Sequence, residues 1–327
     1  MHVLLSISSI TLIVLGSSLL LRVLHTMKDW SQRRMVQLCV LMMPSVLLGL
    51  GIGSLHHFIG RICLMGAPLW DILLGAGVPL GMSIIALGAI GVGVLRLLLM
   101  RRVVARNAVI RDPDLQVRAN ELGQQLHAAH TRIFLRPYDR PLAFTSGIFR
   151  PTIVLSTWMI ERLDRRELEA VLVHELEHVA RHDYFVVWLS LVLRDAFFYL
   201  PACHTAYRQV QHEKELACDD LVVGVTRRPL ALASALAKVW QNAVAEPTFA
   251  TFGAAQSLVK GEEVIHGRIE RLLSSSASKT TSVSSRVDTF CSKALATGIF
   301  LGVQATNIVI VLALMGCNPL ALLEKLF

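Results

Sequence analysis

Charge is scarce in this sequence: Asp, Glu, Lys and Arg together make up 17% of its 327 residues. The acidic sign is the rarer one, 24 residues against 32 basic, which leaves a net charge of +8. Against 54% hydrophobic residues and a mean hydropathy of +0.55, so few charges argue against a disordered chain and against an ordinary water-soluble domain. Paired cysteines are missing as well. The six, at positions 39, 63, 203, 218, 291 and 317, show no CxxC spacing and lie mostly in apolar stretches, which excludes a disulfide framework. They are expected to serve as small buried hydrophobes. Internal repeats at solenoid periods are absent too, so the chain is not an array.

Long apolar runs are what the chain has instead. Uncharged runs cover Val3 to Leu21, Met35 to Leu55, Ile72 to Leu95 and Ala294 to Leu323, and each reaches the ~20 residues that cross a bilayer as a helix. Four spanning helices are expected, three within residues 1–100 (about 3–21, 35–55 and 72–95) and the fourth within 294–327 with a short external tail. No Lys or Arg precedes the first run, and no clear small-residue cleavage site follows it, so it reads as an anchor and not a signal peptide. The basic residues cluster beside the runs: Arg22, Lys28, Arg33 and Arg34 after the first, and Arg96, Arg101, Arg102 and Arg106 after the third. Topology therefore accounts for the net charge, and a nucleic-acid partner is not expected. The connection from His56 to Trp70 holds only Arg61, so it faces outward, with the amino terminus also outside and residues 101–293 in the cytoplasm. The chain is read as a mostly α membrane protein of a cell's inner (cytoplasmic) membrane, with a cytoplasmic α+β domain.

Nearly two hundred residues between Arg101 and Lys293 suffice for one domain with its own core. Arg118 to His130 looks helical, and Leu142 to Leu155 reads as a hairpin turning at Ser146-Gly147. Because Pro151 cannot donate to a ladder, the strand over Thr152 to Leu155 is expected at a sheet edge. There Thr152, Ile153 and Val154 are candidates to bind an extended substrate by strand addition. Asp164 and Glu167 form a capping-box start, and Leu168, Val171, Leu172, Leu176 and Val179 recur at helical spacing, which predicts a helix from about Arg165 to Arg181. Tyr184 to Leu200 is apolar but is interrupted by Arg194 and Asp195, too short a run to span. Ser274 to Ser285 reads as a linker into the last run.

On the predicted helix lies His174-Glu175-Leu176-Glu177-His178, an HExxH pattern. Residues at i and i+4 share a helix face, so both imidazoles can meet one Zn²⁺, with Glu175 beside them to take a proton from its water. A catalytic zinc needs a third protein ligand. Glu215 is the candidate, because Asp219 one turn on can hold the free ring nitrogen of a ligating histidine. Glu213 lacks such a partner and is the weaker alternative; His204, His212 and Cys218 are less favoured still. His266 and Arg268 are candidates for stabilising an oxyanion.

HELEH, followed by His182-Asp183, an apolar helix and ELACD at Glu215 to Asp219, resembles the M56 (BlaR1/MecR1-type) membrane metallopeptidases and, more distantly, the M48 family of HtpX and Ste24. GIFRPTIVLS at Gly147 to Ser156 and RIERLL at Arg268 to Leu273 extend the likeness. The resemblance implies a gluzincin-like fold with His174, His178 and Glu215 as ligands of one zinc ion and Glu175 as general base. It also implies a membrane-anchored endopeptidase acting on a cytoplasmic or membrane protein in regulatory signalling. The alternative is a signal transducer that works mainly by binding partners. BlaR1-type receptors continue beyond the fourth span into an external penicillin-binding domain, whereas this sequence ends at Phe327. The expectation is thus a signal delivered by a separate membrane or extracytoplasmic sensor partner. His182 stands where relatives often carry a basic residue, a change expected to matter little.

Overall fold

The computed structural model describes residues 2–24, 30–45, 69, 77–107, 112–126, 128, 131–148, 150–245 and 262–277. The chain divides into two units, one of residues 1–95, 189–210 and 283–327 and the other of residues 96–188 and 211–282. Residues 189–210 thus group with the amino-terminal segment, although they lie inside the stretch expected as one continuous domain.

The first unit is built from apolar helices. Helix α1 (His2–Leu24) takes in the whole first run, α2 (Trp30–Met42) begins the second, and α3 (Val78–Asn107) contains most of the third. Leu80–Arg102 of α3 is the one stretch among the described residues long and apolar enough to cross a membrane. Its 23 residues rise about 35 Å, enough for a hydrocarbon core. The second run beyond residue 45 and all of the fourth lie outside the described residues. Val40, Leu41, Ala86, Ala196, Phe197, Cys203 and Ala206 form this unit's core. Small size matters at Gly93, where a Cβ would overlap the Val192 side chain.

In the second unit, local start signals set where the helices begin. Asp112 accepts from the backbone N–H groups of Asp114 and Leu115 at 3.0 and 3.1 Å, and Pro113 follows it with a ring already set for a first helical turn. Helix α4 therefore runs Pro113–Gln125, not from Arg118 to His130 as the apolar pattern suggests. Its end is set at Gly123, where the chain folds back so closely that a Cβ would sit 2.9 Å from the Ala128 carbonyl oxygen.

Three strands follow: β1 (Arg132–Arg136), β2 (Ala143–Ser146) and β3 (Thr152–Ser156). Their order is β1-β3-β2, with β1 parallel and β2 antiparallel to β3. The hairpin β2-β3 turns through Gly147 at φ 99°, a left-handed conformation that glycine adopts without steric cost. Strand β3 lies at the centre of the sheet, which corrects its expected place at an edge. Pro151 precedes the first strand residue, so its missing N–H falls outside the ladder, and its carbonyl accepts from Arg132 N at 3.2 Å. With β1 and β2 on its two sides and Ile153, Val154 and Leu155 buried, β3 has no edge to offer a substrate.

Helix α5 (Thr157–Arg162) leads into α6 (Arg165–Ala180), which opens on a complete capping box. Asp164 Oδ1 accepts from Arg166 N and Glu167 N at 2.7 and 2.8 Å, while Glu167 Oε2 accepts from Asp164 N at 2.8 Å. Every residue of α6 from Ala170 to Val179 is buried. It packs against β2, α4 and α9 (Pro229–Ala245), around a core that includes Leu122, Ile153, Leu155, Met159, Leu172, Leu176 and Leu236. Helices α3, α7 (Asp183–Ala196) and α8 (Pro201–Thr226) each contribute to both units, and α10 (Glu262–Ala277) packs on α9. Helix α10 claims the first four residues of the expected linker.

Candidate metal centre

Helix α6 puts His174 and His178 one turn apart, with ring centroids 4.7 Å from each other and planes at 85°. Helix α8 brings Glu215 opposite them. Its Oε2 lies 3.4 Å from His174 Nε2 and its Oε1 3.9 Å from His178 Nε2, so that one ligand atom from each residue falls within 4.8 Å of the others. All three residues are at most 5% exposed; neither Nε2 has a hydrogen-bond partner, and the Glu215 carboxylate meets Lys214 Nζ at 3.0 Å from Oε1. Buried polar atoms without partners are costly, and two such imidazole nitrogens converging with a carboxylate on one space suit a cation.

The far side of each ring faces a carboxylate. His178 Nδ1–H donates to Asp183 Oδ2 at 2.9 Å, which leaves Nε2 as the free lone pair. Asp183 reaches back five residues because His182 adopts φ 54°, a left-handed turn that ends α6 and starts α7 at once. His174 Nδ1 lies 3.4 Å from Asp219 Oδ1, one turn beyond Glu215 on α8. Arg268 of α10 holds Asp219 in turn, with Nε and Nη2 each donating to a different carboxylate oxygen at 2.7 Å. Its Nη1 stands 3.3 Å from Glu215 Oε2.

These charges pull the titrations in one direction. Burial alone keeps His174 neutral, but Asp219 and Glu215 outweigh it and raise its pKa to about 9. Burial also disfavours the Glu215 carboxylate, yet Lys214, His174, His178 and Arg268 hold it well below the usual carboxylate range. The cluster keeps an anionic Glu215 and favours the charged form of His174. Cys218 behaves otherwise. Its sulfur is 3.2 Å from His178 Nδ1 and donates to Asp183 Oδ2 at 3.6 Å, and burial pushes its pKa well above 9, so it stands as a thiol behind the ring.

Glu175 is 1% exposed, with Oε2 accepting from the Thr145 hydroxyl at 2.8 Å and Oε1 unpartnered. The other sequence candidates stand apart from this cluster. His212 and His266 are exposed, Glu213 is half-buried on α8, and His204 bonds the Phe198 carbonyl at 2.9 Å. Arg268 is buried, with Nε and Nη2 donating to Asp219. Thr152, Ile153 and Val154 belong to the central strand.

The family model described as BlaR1 peptidase M56 matches residues 80–272, more than half of the chain. The chain belongs to the M56 peptidase family. The methicillin resistance mecR1 protein of Staphylococcus aureus is 31% identical over 90 residues, 28% of this M56 chain and 15% of that protein. A protease HtpX homolog of Aquifex aeolicus is 29% identical over 90 residues, 27% of this chain and 30% of its own length. Protease HtpX homolog 1 of Streptomyces coelicolor is 29% identical over 145 residues, covering 48% of that protein. The chain thus spans less than half the length of each of these relatives.

For three contributors, no local pattern in this M56 sequence marks the role they play. Asp183 sits at i+5 from His178, a spacing that brings no helical residues together and works only through the turn at His182. Arg268 and Thr145 lie 49 and 30 residues from the groups they hold, and no local pattern marks them.

Proposed function

We propose that this M56 chain is a zinc-dependent endopeptidase held in a cytoplasmic membrane by four spanning helices, with its second unit in the cytoplasm. The observation that carries the proposal is the convergence of partnerless His174 Nε2 and His178 Nε2 with the buried Glu215 carboxylate beside Glu175. Two imidazoles on one helix and a carboxylate on a second form a gluzincin-like ligand set that leaves one position open. Zinc bound there supplies Lewis acidity toward the scissile carbonyl and acidifies the attacking water. Glu175 Oε1 takes that water's proton and returns it to the leaving amine. Asp183 fixes the His178 ring through Nδ1, Asp219 stands 3.4 Å behind Nδ1 of His174, and Arg268 fixes Asp219.

The substrate is a stretch of a cytoplasmic or membrane protein. It enters as an added strand on β2, the edge strand whose Thr145 meets Glu175. Arg96, Arg101 and Arg102 at the end of the apolar stretch of α3 support the cytoplasmic placement. A separate sensor partner supplies the regulating signal. An intact Glu175 favours proteolysis over a purely partner-binding transducer, which needs no base beside its ligands.

The test is Glu175→Gln in the full chain. One zinc per chain and an unchanged unfolding temperature are expected, with proteolysis down by about 10²–10⁴. Peptides present in cells with the wild type and missing with the variant then identify the target. Undiminished proteolysis by the purified variant ends the proposal.

A further inference from the structure

The Thr145 hydroxyl carries one proton and has two oxygens of Glu175 within reach, the carboxylate Oε2 at 2.8 Å and the backbone carbonyl at 3.2 Å. The shorter contact to the charged acceptor takes the proton. Glu175 is thereby held by one oxygen, while the other, Oε1, is buried without a partner. On a carboxylate with two equivalent oxygens, such a contact decides which one is left to accept a proton.

Thr145 also occupies a particular place in the sheet. It lies on β2, paired with Ile153 of β3, and β2 is an edge strand in the order β1-β3-β2. Ser156 N donates to the Leu142 carbonyl at 2.8 Å, so the pair 142–156 is a hydrogen-bonded one. Antiparallel pairs alternate between bonded and non-bonded, and 144–154 is then bonded and 145–153 is not. In a non-bonded pair the backbone N–H and C=O turn away from the partner strand. Those of Thr145 face the open edge of β2, where an added strand takes its hydrogen bonds.

We propose that Thr145 is a positioning residue for Glu175, its hydroxyl holding Oε2 so that Oε1 is the proton-accepting oxygen while its backbone receives the substrate strand. One residue then ties the docking edge to the base, and a substrate that pairs with β2 meets a base already set. Binding rests on the backbone of Thr145 and turnover on its side chain. The proposal rests on Glu175 acting as base, and the experiment separates the two.

Thr145→Val keeps the side-chain shape and β propensity and removes only the donor; Thr145→Ser restores it. Zinc-loaded full chain in detergent is assayed on fluorescein-labelled casein, an unfolded polypeptide that supplies extended segments. For Thr145→Val, kcat is expected to fall about tenfold or more with KM within about twofold, and Thr145→Ser to recover most of the loss. In a Glu175→Gln background, Thr145→Val should cost nothing further, because the group it positions is gone. A second readout needs neither metal nor activity: the infrared difference between each protein and its Glu175→Gln counterpart isolates the Glu175 carboxylate band. That band is expected to shift in Thr145→Val and to return in Thr145→Ser. An unshifted band, an unchanged kcat, a failed rescue by Ser, or a Val variant that loses zinc overturns the proposal. Casein left uncut by the wild type defeats the proteolytic function instead, and the infrared comparison still decides whether Thr145 holds the base.

Discussion

Asp219 is the residue on which the candidate centre turns. It is 2% exposed, and a buried carboxylate without a counter-charge is expensive; Arg268 supplies that charge at both oxygens. Burial disfavours its ionised form, but Arg268 outweighs burial and keeps the Asp219 pKa below its ordinary value. Arg268→Gln is therefore expected to lower zinc affinity by about 10–100-fold, through loss of a fixed partner behind His174. Arg268→Lys should recover only part, since an ammonium cannot bridge two oxygens as a planar fork does. Competition with a chromophoric chelator measures both, and Glu215→Ala in the same assay should lose the metal altogether. One zinc per chain at unchanged affinity in Glu215→Ala means that Glu215 is not a ligand.

Among the elements, α6 carries the heaviest structural demand, because it must be a core helix and a ligand platform together. Its first turn is fixed by Glu167, whose Oε2 also accepts from Lys238 Nζ of α9 at 2.6 Å and whose Oε1 accepts from Ser234 at 2.6 Å. Burial disfavours the Glu167 carboxylate, yet Lys238, Ser234 and the Asp164 amide together hold its pKa below the ordinary 4.5. A folded-state pKa below the unfolded one adds stability that is fully present above the unfolded value and is lost as pH falls through the folded value. Glu167→Gln is expected to destabilise by about 1–3 kcal/mol at pH 7. That gap should close as pH falls below 4.5 and Glu167 itself takes up a proton. Thermal unfolding of both proteins across this range decides it, and a gap that persists or widens in acid assigns the effect to something other than the charge.

At the scale of the whole molecule, the proposed topology puts the second unit on the cytoplasmic side of a membrane. The apolar stretch of α3 ends in Arg101 and Arg102, which favours that end on the cytoplasmic side. Because α10 runs to Ala277, a reporter placed between residues 278 and 285 avoids breaking it. Such a reporter is expected to read as cytoplasmic. A readout from the opposite side inverts the orientation and removes cytoplasmic proteins from the candidate substrates.

The sequence by itself marked what depends on short spacing. The apolar stretch in α3, the capping box at Asp164 and Glu167, the hairpin at Gly147, and His174, Glu175 and His178 on one helix all follow from neighbours within about one turn or one hairpin. The pairing of Glu215 with Asp219 was legible for the same reason. Tertiary structure alone decided the rest. Strand β3 became central because β1, unmarked in the sequence, pairs with it in parallel, a choice no alternation pattern within β3 encodes. Arg268 became a buried clamp because α10 packs where Asp219 needs a counter-charge. Thr145 met Glu175 because β2 lies against α6. Each of these contacts joins residues far apart in the chain, where the cost of closing the loop is met by burial of the whole core and not by any local preference.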